Sequence, residues 1–103
     1  MARRKLAFMT EFTSVGRSAT DRASRYGSQL VKHFTHKDLE GSWEDTRGFV
    51  RFSLGLAEFE ASSDALVMRV VCSSEEDVAR LQDVVERHLV RFGTRDELTV
   101  TWS

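Results

Sequence analysis

Only two stretches of this chain repeat their apolar residues at the 3.6-residue period of a helix, and nearly every apolar run between and around them repeats at two. Ala19, Ala23, Tyr26, Gly27, Leu30 and Phe34 fall on one face at 100° per residue, and so do Val78, Leu81, Val85, Leu89 and Phe92. Leu6, Phe8 and Phe12 alternate with other residues, as do Val50, Phe52 and Leu54, then Ala57, Phe59 and Ala61, then Leu66, Met68, Val70 and Cys72, and finally Leu98, Val100 and Trp102. Helices with one apolar stripe and strands with one apolar face bury both only by forming two layers. The expected fold is an α+β two-layer sandwich in the order β-α-β-β-β-β-α-β. It has a mostly antiparallel sheet of five or six strands, with both helices on one face.

Local signals set the expected boundaries. Residues 14–18, with Gly16 at their centre, read as a break after a first strand at residues 6–12. Thr20 is the expected cap of a first helix of about 17 residues, with Asp21 in its first turn. Residues 39–43 read as a short strand, residues 45–48 as a type I turn, Leu54-Gly55 as a turn, and residues 62–64 as another. Ser73 and Glu76 fit a capping box at the second helix, and Glu75, Glu76 and Asp77 suit the positive end of its dipole. Glu76–Arg80 and Asp83–Arg87 are favourable i,i+4 pairs, and Gly93 is the expected left-handed stop.

Residues 25–36 lie over residues 80–91 without a gap. Arg25 matches Arg80 and His33 matches His88, while Tyr26/Leu81, Leu30/Val85, Lys32/Arg87 and Phe34/Leu89 match in type. Each stretch follows an apolar strand and precedes a strand ending in Trp43 or Trp102. The echo suggests an internal pseudo-repeat of two strand–helix–strand halves, which puts the two histidines in related positions.

At 103 residues the chain is the size of one domain. No apolar run reaches the roughly 18 residues of a membrane span, and the basic start lacks the apolar core of a signal peptide, so a cytoplasmic protein is expected. Cys72 is the sole cysteine, which excludes an internal disulfide and a cysteine-rich metal cluster. The net charge of −1 argues against nucleic-acid binding. It hides an uneven distribution: residues 1–37 hold eight Lys/Arg and two Asp/Glu, whereas residues 38–64 hold two and seven. Nothing in the sequence forms a Ser-His-Asp order, a paired-carboxylate motif, a phosphate-binding glycine loop or a dinucleotide fingerprint. Cys72, on an inward strand face, reads as a small hydrophobe.

The segment 32–37 (Lys-His-Phe-Thr-His-Lys), with residues 23–26 and 29–31, the run Glu44-Asp-Thr-Arg-Gly48, and residues 88–98 followed by Val100 and Trp102, resembles a bacterial family known as domain of unknown function 2218. The resemblance covers most of the chain from Thr20 onward. It implies a weak link to iron acquisition, since some members accompany or are fused to siderophore-interacting flavin reductases. Members often carry Gly-x-Cys where this chain has Gly55-Leu56-Ala57, so any role of that cysteine is absent or altered here.

Candidate sites follow from the helices. His33 and His88 each sit about 60° from the centre of their stripe, where histidines commonly pack against backbone. The sharper reading is two imidazoles flanking a groove, able to take iron, zinc or haem. His33 and His36, three apart, are neighbours that would need a third metal ligand such as Glu40 or Asp38. Arg25, Lys32 and His36 on one helix, with Arg80, Arg87 and Arg91 on the other, form either a cationic layer for a small anionic or iron-containing ligand or plain solvated faces. On the far face of the sheet, Ala7, Met9, Phe49, Val67 and Val71 alternate with Arg51, Glu58, Glu60 and Arg69, an apolar set that predicts a homodimer or partner interface. The expected function is a non-catalytic ligand- or partner-binding domain. A small enzyme or redox accessory using His33 and His88, and a structural dimerisation module, are the alternatives. No cofactor is assigned.

Overall fold

The computed structural model describes residues 11–103. The order is β1 (Phe12–Ala19), α1 (Ala23–Thr35), β2 (Glu40–Glu44), β3 (Arg47–Arg51), β4 (Gly55–Ala61), β5 (Ala65–Cys72), α2 (Glu75–Phe92) and β6 (Thr101–Trp102), with a 3-10 turn at Thr94–Asp96 before β6. Every strand pairing is antiparallel and the six-stranded sheet runs β2-β3-β4-β5-β1-β6. Both helices cover one face, and the expected α+β sandwich is the fold. Each half is a parallel crossover, but α1 carries the chain past three strands to the sheet edge at β2, whereas α2 steps over β1 alone to reach β6. The pseudo-repeat therefore holds for strand and helix and fails for the returning strand.

The core lies between the layers. Leu66, Met68, Val70 and Cys72 of β5, Ala57 and Phe59 of β4, and Val50 of β3 are buried against Leu30, Val31 and Phe34 of α1 and Leu81, Val85 and Leu89 of α2. The expected stripes are these, with Val31 added and Ala19 removed to the outer side of β1.

The first strand departs from expectation. Residues 14–18 are its centre rather than a break, and Ser14, Gly16 and Ser18 form its inward face. The residues that occupy the space are large: a Cβ on Gly16 would sit 2.8 Å from the Trp102 ring, and Gln82 donates to the Ser14 hydroxyl at 2.6 Å. An inner face of small polar residues leaves no apolar alternation to read. Leu6, Ala7, Phe8 and Met9, assigned to a strand from sequence, lie outside the described residues.

Boundaries shift where tertiary contacts compete with local signals. Thr20 donates its N–H to the Asp64 carbonyl and accepts from the Arg22 N–H, so helix α1 begins after Arg22, with no side-chain cap. Cys72 remains in the sheet, which moves the α2 cap to Ser74, whose hydroxyl accepts from the Asp77 N–H at 3.1 Å. Gly93 has φ −99° and is not left-handed. Leu98 packs where its side chain would be, and Glu97 (φ 53°) makes the turn instead. Glu44 and Arg47 pair directly, so the hairpin loop is Asp45-Thr46, with Asp45 at φ 62°. Strand β3 ends at Arg51, leaving Phe52 and Leu54 in the turn to β4, closed by the Phe52 N–H on the Gly55 carbonyl.

The outer face is a regular grid. One row across the strands reads Ser42, Phe49, Glu58, Arg69, Val15. Its neighbours read Glu40, Arg51, Leu56, Val71, Thr13, and Glu44, Arg47, Glu60, Val67, Arg17. Cross-strand ion pairs lie along these rows: Arg69–Glu58 at 2.7 Å, Arg47–Glu60 at 3.1 Å and Arg51–Glu40 at 3.4 Å. Phe49, Val67 and Val71 are half-buried among them, and Val15 is exposed.

Candidate functional site

Leu30 and Phe34 fix which face of α1 meets the sheet, and Val85 and Leu89 do the same for α2. His33 and His88 each precede a buried stripe residue by one position, about 100° around the helix. Because the helices lie side by side, those two edges face each other. The imidazole centroids are 5.0 Å apart with the rings tilted at 48°. The approach expected from the sequence echo is present.

The rings pack on one another and on neighbouring aromatic rings in the seam between the helices. His33 meets Phe34 and Phe92 edge-on at 5.2 and 5.4 Å, His88 lies 4.8 Å from Phe34, and Phe34 meets Phe52 at 4.9 Å. His88 Nδ1 is 2.6 Å from the Val84 carbonyl oxygen. A carbonyl only accepts, so Nδ1 carries the proton and, in the neutral ring, Nε2 carries the lone pair. His33 Nε2 is buried and finds no hydrogen-bond partner among the described residues. Burial is the main cause holding the His33 pKa below its ordinary value, followed by the positive charges of His88, Lys37, Arg91 and His36. His33 is thus a neutral imidazole at physiological pH in a cationic neighbourhood.

The metal site sketched from sequence does not assemble. Among the described residues no three His, Cys, Asp or Glu side chains are placed to hold an ion. His36 caps the end of α1 and is exposed. Asp38 then adopts φ 68° and the Leu39 N–H returns to the Phe34 carbonyl, turning the chain away into β2. Glu40 follows onto the outer sheet face, where Arg51 holds it.

The cationic layer is divided. Arg80 pairs with Glu76 at 3.3 Å and Asp77 at 3.9 Å, and Arg87 with Asp83 at 3.0 Å, so the solvated-face reading describes these two. Arg25, Lys32 and Arg91 are exposed and make no ion pair among the described residues. Lys37, one turn beyond His33, was not singled out from sequence. Its signal was its spacing, four residues from the histidine. A second network also went unread: the Tyr26 hydroxyl donates to Asp96 at 2.5 Å, and Arg22 lies 3.4 Å from the same carboxylate. It ties the 3-10 turn to α1 across 70 residues of sequence.

Cys72 is buried, and burial raises its thiol pKa, with the Asp77 charge adding to the effect, so the thiol stays protonated. Ala57 is a fully buried core residue on β4 opposite Val50 and Val70.

The family of uncharacterized proteins conserved in bacteria, domain of unknown function 2218, matches residues 15–103. The chain belongs to this family. The NMR structure of PA4090 from Pseudomonas aeruginosa is similar to it, with 33% identity, coverage of 89% of this chain and 95% of that one, and a TM-score of 0.75. The de novo designed protein Foldit4 shares the fold at 11% identity, covering 90% of this chain and 93% of its own, with a TM-score of 0.52. No curated protein matches. Among the described residues no helix is long and apolar enough to cross a membrane.

Proposed function

We propose that this family member is a non-catalytic binding domain whose histidine corner takes an anionic ligand in preference to a bare metal ion. The observation that carries the reading is the company of the imidazole pair: the rings stand 5.0 Å apart, and the Lys37 and Arg91 cations both bear on His33. A cation entering this corner adds to that repulsion, whereas an anion relieves it. The ligand class that fits is a small polycarboxylate or phosphate-bearing anion, held by Lys37 and Arg91 at the rim with His88 beside them. An iron-containing ligand fits as an anionic chelate, which is the form in which a link to siderophore utilisation would apply. The enzyme alternative is less well supported, because the unpaired nitrogen of His33 is buried away from any substrate.

Histidine NMR titrations with and without citrate test this reading. Bound anion stabilises the imidazolium, so citrate raises the apparent His33 pKa, and Arg91→Glu abolishes the effect. Zinc leaves the histidine resonances of the wild type unchanged. Absence of a citrate-induced shift at millimolar concentration, or a stoichiometric zinc-induced shift, refutes the proposal.

A further inference from the structure

The outer face of the sheet carries a pattern that its intramolecular contacts do not require. The central row runs Ser42, Phe49, Glu58, Arg69, Val15 from β2 to β1. Ser103 closes the row, through mutual backbone hydrogen bonds with Val15. Read from the midline between β4 and β5, the row is acid, apolar, polar in one direction and base, apolar, polar in the other. The polarity of the side chains is symmetric about that line and the charge is opposite.

This is the pattern a surface needs to meet its own copy. A two-fold axis lying in the interface, parallel to the strands and between β4 and β5, sets each β4 position over β5 of the second copy and each β3 position over β1. Glu58 then faces Arg69, Phe49 faces Val15, and Ser42 faces Ser103. In the adjoining row Leu56 faces Val71, apolar on apolar. In the other, Glu60 faces Val67, and Arg47 meets Arg17 at the rim. That last pair is tolerated because Glu60 and Asp64 already accompany the two arginines at 3.1 and 3.7 Å. Face-packed sheets sit about 10 Å apart, a gap that opposed Glu/Arg and Phe/Val pairs fill. Two hollows on the molecular surface near Val15 and Val67 open on this same face.

We infer that the outer sheet face is the interface of a two-fold homodimer of this chain, with its axis along the β4–β5 seam. Six strands at about 4.8 Å spacing and up to eight residues long give a face of roughly 600 Å², somewhat under the 800 Å² per partner of a standard interface. The occupant is a second copy because the central row is complementary to itself in charge and the Leu56/Val71 contact beside it is apolar on apolar, which an arbitrary partner would not require.

Sedimentation equilibrium with three samples tests the axis. The wild type, 11.8 kDa as a monomer, approaches twice that mass at several hundred micromolar. Glu58→Arg and Arg69→Glu, each alone, oppose like charges across the axis and weaken the dimer about 100-fold. An equimolar mixture of the two variants restores opposite charges at both contacts and recovers the dimer as a heterodimer. Each substitution also removes the exposed Glu58–Arg69 pair within one chain, a minor loss, and far-UV circular dichroism checks that both variants remain folded. A wild type that stays monomeric overturns the inference. So does a dimer that either single substitution leaves intact, or a mixture of folded variants that fails to associate. A monomer that dimerises only after removal of residues 1–10 overturns it as well, and makes that segment the natural occupant.

Discussion

Replacing His33 with leucine is expected to make this protein more stable. The ring carries a buried Nε2 without a partner among the described residues, and an unsatisfied buried polar atom costs about 1–3 kcal/mol. Leucine has a similar volume and retains the apolar contact with Phe34 and Phe92. It is also the better helix former by a few tenths of a kcal/mol. What is lost is the edge-on aromatic geometry, worth about 0.5–1.5 kcal/mol across such pairs. The balance at pH 8 is a gain of about 1 kcal/mol, or some 4–8 °C in Tm for a domain of this length.

The pH dependence adds a second, independent signature. The His33 pKa is lowered in the folded state, so between its ordinary value of 6.5 and the lower folded value the unfolded chain binds a proton that the native chain refuses. The wild type therefore loses stability as pH falls below about 6.5, while the variant is spared that loss. Urea denaturation of both proteins at pH 8 and pH 5 measures the difference. The advantage of His33→Leu is positive at pH 8 and larger at pH 5. A variant less stable than the wild type at both pH values refutes the reasoning, and an advantage that does not grow on acidification refutes its electrostatic half.

Tyr26→Phe removes the hydroxyl that donates to Asp96 and costs about 1 kcal/mol, the carboxylate being partly solvated. Tyr26 is the only tyrosine, and the Asp96 hydrogen bond is the main cause raising its pKa. Ultraviolet titration should therefore find a single phenol ionising above 10, with stability lost as pH rises through that range. Gly27→Ala would gain about 0.5–1 kcal/mol as a helix residue, but its Cβ meets the Trp43 ring at 2.5 Å, and overpacking costs about 1–3 kcal/mol. The substitution destabilises the wild type and stabilises a Trp43→Leu background, a sign reversal that thermal melts read directly.

Periodicity made the layers legible, because burial on one side writes itself into the sequence wherever the buried side chains are apolar. The β5 face and the α2 stripe could be read from sequence for that reason. The first strand could not, because its inward residues are Ser14, Gly16 and Ser18, and their smallness answers to Trp102 and Gln82, which are more than 60 residues away. Caps and turns moved by a residue or two wherever a strand pairing held the chain longer than the local motif implied, as at Cys72 before Ser74.

The histidine pair shows the same division. The gapless echo of residues 25–36 in 80–91 put His33 and His88 at matching stripe edges, and packing two such helices side by side brings those edges together. That Lys37 and Arg91 bear on the corner, and that Asp38 and Glu40 are turned away from it, were decided by the αL turn at Asp38 and the pairing of β2 with β3. The sequence alone determined the kind of each element whose buried side is apolar, since apolar period depends only on which side of each element is buried. The tertiary structure alone decided strand order, the company each charge keeps and the rows of the outer face, since these depend on contacts between segments that no local pattern records.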